Sequence, residues 1–452
     1  MKNRKINVGI IGCGNVGSNV AHFLLEKKKN SKLENIILAG IAVKNTNSKN
    51  ELRQKLEQKF NLRNILHIGK ESAEDIINNP EIDIVIELMG GNKAYDYILS
   101  ALKNKKHVIT ANKMVIADYG DVLFEEARKN AVGLGIEASV CGAIPIIKLL
   151  SSYYNYGINS ISGILNGTTN YILTQMKNGM GYKRALKLAQ EKGFAEKDPS
   201  DDVSGNDARY KLSILASIAF QSLIKPKQIS ISTEGTEGIA RGEIPLIDIL
   251  DIAYNNHEGF DVKFIAQAKR TKDGIEAKVY PMLIRSNHEI AKVNYENNTI
   301  IVDVERMGKQ QLIGKGAGGE PTAYAIIQDL FDIIDTIAEG KEPKLIYPYR
   351  RKSFLKITRV GERKSSGYIR SISPEVPGIF KIKSEIFEKQ GISIRKMEDL
   401  IEGKIFEDIV GTETPDIAYI YPTTEEKIDS ALKEMKMHKK IKSILYIRKF
   451  EE

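Results

Sequence analysis

The stretch from Phe194 to Leu212 gathers ionisable side chains at spacings that suit chemistry. Glu196, Asp198, Asp201 and Asp202 fall in one loop, and the helix expected after it carries Asp207 and Lys211 four residues apart, on one face. A lysine beside a carboxylate can move a hydroxyl proton once desolvation or a partner brings its pKa towards neutrality. Asp207 could accept a hydrogen bond from a substrate hydroxyl and orient the lysine. Glu196 and the Asp201-Asp202 pair could bind an ammonium group. A plainer account also fits. Ser204-x-x-Asp207 has capping-box spacing with Asp in place of Glu, and Asp207–Lys211 could be a surface ion pair worth under ~1 kcal/mol. The helix nevertheless continues Leu212-Ser213-Ile214-Leu215-Ala216, apolar on most sides, and a lysine opening a buried helix needs a reason.

A second chemical signature opens the chain. Gly12-Cys13-Gly14-Asn15-Val16-Gly17 fits G-x-G-x-x-G between an apolar run and a helical pattern. Gly12 permits the tight turn, Gly14 lets the backbone approach a pyrophosphate, and Gly17 allows close helix–strand packing; Asn15 and Val16 begin the helix whose positive pole faces the phosphates. The alternative is a glycine-rich turn kept for packing. After the second apolar run, Ile36–Val43, stands Lys44 rather than the acid that meets a free ribose 2′-hydroxyl. A cation there favours the 2′-phosphate of NADP over NAD; a solvated loop lysine is the other account.

Two further clusters follow. Thr110-Ala111-Asn112-Lys113 leaves a strand at the edge where such folds bind ligands, so Lys113 could reach the nicotinamide ribose or the substrate, or simply start a helix. Glu137-Ala138-Ser139-Val140-Cys141-Gly142-Ala143-Ile144-Pro145 turns at Gly142. Such a turn could present carbonyls to a monovalent cation with Glu137, although the residues by themselves favour a plain strand-to-helix turn.

The elements that must position these groups fall into three blocks. Residues 1–135 alternate strand and helix, which implies an α/β, doubly wound parallel sheet of Rossmann type. Strands are expected at Ile6–Ile11, Ile36–Val43, Ile82–Leu88, Lys106–Thr110 and Val132–Glu137. Residues 136–320 read as an α+β catalytic and dimerisation domain, with helices at Tyr182–Lys192 and Asp207–Phe220 and strands at Phe260–Arg270, Gly274–Pro281 and Thr299–Glu305. A helix at 321–339 is expected to complete the first domain. A linker at 340–366 precedes 367–452, whose βαββαβ order predicts a ferredoxin-like sandwich.

Bulk properties set limits. The chain has 452 residues, 42% hydrophobic and 28% charged, and no apolar run approaches a membrane span. Cys13 and Cys141 are the only cysteines; two make neither a disulfide framework nor a zinc site, which fits a reducing cytoplasm. The net charge of +9 lacks the basic and aromatic interleaving of a nucleic-acid binder, and the run Lys27-Lys28-Lys29 suits a solvated helix end. Symmetric association, as a homodimer or homotetramer, is expected.

Together the motifs resemble the homoserine dehydrogenase family with a C-terminal ACT domain. The resemblance rests on Gly12–Gly17, Thr110–Lys113, Glu137–Pro145, Gly163-Ile164-Leu165-Asn166-Gly167-Thr168-Thr169-Asn170-Tyr171, the Glu196–Lys211 stretch and Gly314-Lys315-Gly316-Ala317-Gly318-Gly319-Glu320-Pro321. It implies NAD(P)-dependent interconversion of L-aspartate 4-semialdehyde and L-homoserine, on the route to threonine, methionine and isoleucine. It makes Lys211 the proton carrier, Asp207 the hydroxyl partner, Glu196 the ammonium ligand and Lys113 a contact to cofactor and substrate. Gly167 and Thr168 line the substrate site and Gly318 touches the cofactor, beside the Asp202 already read as an ammonium ligand. Glu137, with Val140, Gly142 and Ile144 through their carbonyls, matches a sodium loop. Phe194 departs from the family's common Tyr. In the last block Tyr368–Phe380, with Pro377-Gly378 and Glu375 shortly before it, implies an amino-acid effector site, with threonine as the expected inhibitor. A non-catalytic sensor would lack Lys211 or Glu196. A phosphorylating semialdehyde dehydrogenase would need a cysteine nucleophile near a histidine, and Cys141 has none close in sequence.

Overall fold

The computed structural model describes residues 4–26, 33–44, 54, 57–59, 62–69, 71–231, 244–247, 249–341, 343, 355–358, 360–374, 376–399 and 413–451. Lys27, Lys28, Lys29 and Glu375, singled out above, lie outside them.

Short β-branched runs form the first sheet: β1 (Ile6–Ile11), β2 (Ile36–Val43), β3 (Leu66–Ile68), β4 (Ile84–Glu87), β5 (His107–Thr110) and β6 (Leu134–Gly135). Their order is β3-β2-β1-β4-β5-β6, and every pairing is parallel. Burial on both faces explains why these strands are nearly continuous apolar runs rather than alternating ones. Alternate residues serve two cores: Val85 packs with the helices Ser72–Asn78, Ala94–Lys103 and Lys113–Lys129, whereas Val8, Ile10, Ile84 and Ile86 pack with Asn15–Glu26 and Gly319–Glu339. The last helix comes from far along the chain, and its Ala323, Ile326, Ile327 and Leu330 join Val20, Ala21 and Leu24 in one core. The strand order reverses beside β1, which opens a crevice at the carboxyl ends of β1 and β4.

The expected strand Val132–Glu137 shortens to Leu134–Gly135, because Glu137–Ser139 forms a 3-10 turn. The Glu137 main-chain N–H donates to Asp329 Oδ2 at 2.9 Å, a partner on the Gly319–Glu339 helix that local sequence does not reveal.

A second sheet comprises β7 (Ile158–Ile164), β8 (Ser230–Ile231), β9 (Phe260–Thr271), β10 (Gly274–Arg285), β11 (Asn297–Val304), β12 (Gly308–Lys315), β13 (Lys364–Pro374), β14 (Ile394–Asp399), β15 (Glu413–Thr424) and β16 (Ser443–Lys449). Its order is β12-β11-β7-β9-β10-β16-β13-β15-β14, with β8 beside β10. The sequence reading named no strand at β7, which sits between β11 and β9. Gly163 is required there: a Cβ would fall 2.0 Å from Thr299 O. The Asn206–Phe220 helix is buried without a break from Lys211 to Phe220.

The last four strands and the helices Ile379–Lys389 and Glu425–Met437 follow the order βαββαβ, with antiparallel neighbours β16-β13-β15-β14. β13 begins at Lys364, inside the segment read as a linker, and Ile357 bridges Ile275. β16 pairs in parallel with β10 at Met282–Arg448 and Leu283–Lys449, so one sheet runs through both parts. Polar contacts reinforce the join: Tyr368 Oη donates to Asp251 Oδ1 at 2.8 Å and Tyr419 Oη to Asn255 Oδ1 at 2.7 Å, both on the Ile249–His257 helix. Among the described residues no helix is long and apolar enough to cross a membrane.

Candidate active site

The glycine turn fits a dinucleotide phosphate. Gly12 has φ +95°, and a Cβ there would lie 2.8 Å from Leu88 backbone atoms; at Gly17 it would lie 2.2 Å from Gly12 O. These two glycines close the turn against β4 and the helix. At Gly14 a Cβ would meet nothing within 4 Å, so this is where another backbone or a phosphate has room. The Asn15–Glu26 helix starts immediately after, with its N–H groups facing the turn. The Gly319–Glu339 helix begins alongside: Gly318 has φ +122°, and a Cβ on Gly319 would sit 2.8 Å from Asn15 Oδ1. Two helix N-termini therefore converge on one turn. Lys44 is exposed at the end of β2.

The ionisable cluster is buried and closely joined. Lys211 Nζ donates to Asp207 Oδ2 at 2.8 Å and to Leu165 O at 2.8 Å. Lys113 Nζ reaches Asp207 Oδ1 at 2.9 Å from the start of the Lys113–Lys129 helix. Asp207 and Lys211 are each 8% exposed, so the surface-pair account fails. The capping box fails too: Gly205 (φ +94°) is the cap, and Asp207 turns into the cluster. Burial works to raise the Asp207 pKa, but the ammonium groups of Lys211 and Lys113 and the hydrogen bonds from Lys211 and Asn166 outweigh it and hold the carboxyl well below its usual range. Asp207 in turn raises the Lys113 pKa against the opposing effect of burial. Asp202 lies close by, its pKa raised by burial and by Asp207.

A family model described as homoserine dehydrogenase matches residues 145–331, and one described as homoserine dehydrogenase, NAD binding domain, matches residues 12–137. The homoserine dehydrogenase of Helicobacter pylori is 35% identical over 437 residues, covering 96% of each chain. That of Synechocystis is 33% identical over 403 residues, 87% of this chain and 88% of its own. The chain belongs to the homoserine dehydrogenase family. It is accordingly an NAD(P)-dependent oxidoreductase acting on a CH–OH group. A solved homoserine dehydrogenase from Thiobacillus denitrificans is 29% identical with a TM-score of 0.85 over 99% of both chains. A hyperthermophilic archaeal homoserine dehydrogenase in complex with NADPH shares the fold, with a TM-score of 0.59 at 23% identity, covering 75% of this chain and 100% of its own.

Glu196, Asp201, Asp202, Gly167 and Thr168 differ in how far they turn into the cluster. Thr168 is buried and donates to Phe194 O at 2.6 Å, and a Cβ on Gly167 would fall 2.5 Å from Glu296 O. The Phe194 ring packs on Tyr171 with centroids 5.0 Å apart. Glu196 is exposed, its main-chain carbonyl accepting from Gln190. Asp201 is exposed whereas Asp202 is held inward, so the adjacent acids do not act as a pair.

Cys141 and Gly142 both have positive φ, 56° and 50°, and reverse the chain after Val140. Ile144 O accepts from Ile146 N at 2.8 Å. The Glu137 carboxylate accepts from Ile147 N at 2.9 Å and Lys148 N at 3.0 Å, capping the Ile146–Tyr153 helix, and burial pushes its pKa up to about 7. Among the described residues no three His, Cys, Asp or Glu side chains are placed to hold a metal.

Sequence reasoning missed the role of Asn166. Its position just before the Gly167–Lys177 helix, where Asn is a favoured cap, was the available signal.

Proposed function

We propose that this enzyme interconverts L-homoserine and L-aspartate 4-semialdehyde, with Lys211 as proton carrier and NADP favoured over NAD. The observation that carries the assignment is the Asp207 carboxylate held between the buried ammonium group of Lys211 and the half-buried one of Lys113, which come from two different helices.

Gly12, Gly14, Asn15, Val16, Gly17 and Gly318 would hold the dinucleotide, whose nicotinamide exchanges a hydride with the substrate carbon. Two of the three Lys211 ammonium protons are committed to Leu165 O and Asp207, which fixes the direction of the third. In the reducing direction that proton passes to the carbonyl oxygen as it becomes a hydroxyl; in the oxidising direction neutral Lys211 takes the hydroxyl proton back. Asp207 orients the lysine, and Lys113 supports the oxygen end of the substrate and the nicotinamide ribose. Glu196 and Asp202 bind the substrate ammonium, while Gly167 and Thr168 wall the site. Lys44, exposed at the end of β2, meets the 2′-phosphate. Glu137 and the main-chain carbonyls of Val140, Gly142 and Ile144 would hold a sodium ion, which would supply a fixed positive charge. Residues 1–135 with helix 321–339, and 136–320, act as cofactor and catalytic domains of a homodimer or homotetramer in the cytoplasm.

The C-terminal module is read as an ACT domain that senses threonine. Supporting this is a cavity of about 450 Å³ at the start of the Ile379–Lys389 helix, lined by Ser373, Gly378, Asp399 and Asp416 among others. Lys383 and Asp416 form a buried ion pair behind Ser373. Helix N–H groups and carboxylates side by side suit a free amino acid.

Initial rates of reduced-nicotinamide formation from L-homoserine, measured with NADP and NAD and repeated with threonine and with sodium replaced by potassium, test these points. NADP preference, inhibition by threonine and sodium dependence are expected. No reduction of either cofactor by folded enzyme would overturn the substrate assignment.

A further inference from the structure

Asn166 is 3% exposed, and both protons of its amide are spent inside the cluster. Its Nδ2 donates to Asp202 Oδ1 at 2.7 Å and to Asp207 Oδ2 at 2.8 Å. Its Oδ1 accepts from Thr169 N at 2.8 Å, which caps the Gly167–Lys177 helix. The residue before it holds Lys211 through Leu165 O. One dipeptide therefore ties together the lysine, both inward carboxylates and the helix that presents Gly167 and Thr168.

Helix capping needs only the oxygen. The amide nitrogen is what a carboxylate could not supply: two like-charged groups, Asp202 and Asp207, are joined by the two protons of one neutral donor. A charged donor there would neutralise the site, and an acceptor would leave the carboxylates to repel each other.

We propose that Asn166 is a positioning residue for hydride transfer: its amide protons fix the Asp207 carboxylate beneath Lys211 and hold Asp202 towards the substrate. This rests on the homoserine reading above. The placement matters because a misplacement on the order of 1 Å at a reacting pair can cost about 10²-fold in rate.

Asn166→Asp separates the two functions of the side chain. It keeps the size and the capping oxygen, and it exchanges the donor for a third carboxylate. The variant is expected to unfold at a lower temperature than the parent, because a third buried carboxylate joins two others, and to bind NADPH with parent affinity by nicotinamide fluorescence. Its kcat with L-homoserine is expected to fall by about 10²-fold, with a raised KM. Asn166→Ser, which also caps a helix but offers one hydroxyl proton, is expected to fall between the two, and it decides the matter should the aspartate variant not fold. Parent kcat/KM in a folded Asn166→Asp or Asn166→Ser enzyme would overturn the proposal, leaving Asn166 as a cap alone. If the unmodified enzyme fails to oxidise L-homoserine, it is the functional reading that falls.

Discussion

Two of the buried ion pairs among the described residues use different cations. In the cleft, Lys211 meets Asp207, and that carboxylate is shared with Lys113 and Asn166. Where the C-terminal module joins the catalytic sheet, Arg448 meets Glu425 through two parallel bonds, Nε to Oε1 at 2.7 Å and Nη2 to Oε2 at 2.8 Å. The guanidinium lies 3.9 Å from the centre of the Tyr280 ring, and Ser365 donates to Glu425 at 2.6 Å. Arginine stays charged and its planar fork locks one geometry; lysine is a compact donor that can release a proton. Burial and pairing alone therefore do not mark a catalytic site. Of these two pairs, only the one built on lysine can also serve proton transfer.

The largest expected effect exploits that difference. Lys211→Arg keeps the charge but cannot give up a proton at working pH, so kcat with L-homoserine should fall on the order of 10²–10⁴-fold in a folded, cofactor-binding protein; steady-state rates and nicotinamide fluorescence measure it. At the joint the expectation reverses. Glu425→Ala leaves Arg448 buried without its carboxylate and should destabilise the fold by ~3–5 kcal/mol in denaturant unfolding, with kcat of the folded fraction near the parent value. Loss of turnover there at unchanged stability would erase the contrast. A smaller effect comes from a buried base in neither pair. His107 Nδ1 accepts from Gly133 N at 2.9 Å, and burial pulls its pKa from 6.5 down to about 4. Between those values the unfolded chain binds the proton and the native one resists it. His107 therefore contributes stability that is complete above pH 6.5 and is lost as pH falls towards 4. His107→Gln should flatten that part of the unfolding midpoint against pH; an unchanged acid slope would show that other groups set it.

What was legible in the sequence was local. β1 and β2 occur with the expected bounds, because a strand buried on both faces needs a continuous apolar run, and the glycine turn needs three glycines at fixed spacing. Lys211 stood out because an apolar helix surrounds it. The remainder depends on partners distant in the chain. β7 is Ile158-Asn159-Ser160-Ile161-Ser162-Gly163-Ile164, too polar and glycine-broken to announce itself, yet β11 and β9 on either side make it a strand. Nothing near residue 282 indicates that β10 will pair with β16 at Arg448. Asn166 looked like one member of a motif, and its two carboxylate partners lie 36 and 41 residues further on.

The most direct test of the central claim is amine rescue of Lys211→Ala. The substitution removes the ammonium from a pocket that Asp207 and Leu165 O still line, so methylamine can take its place. The account predicts that turnover of L-homoserine is abolished while NADP binding persists, and that activity returns in proportion to added methylamine. Near-full activity of Lys211→Ala without amine would contradict Lys211 as the proton carrier.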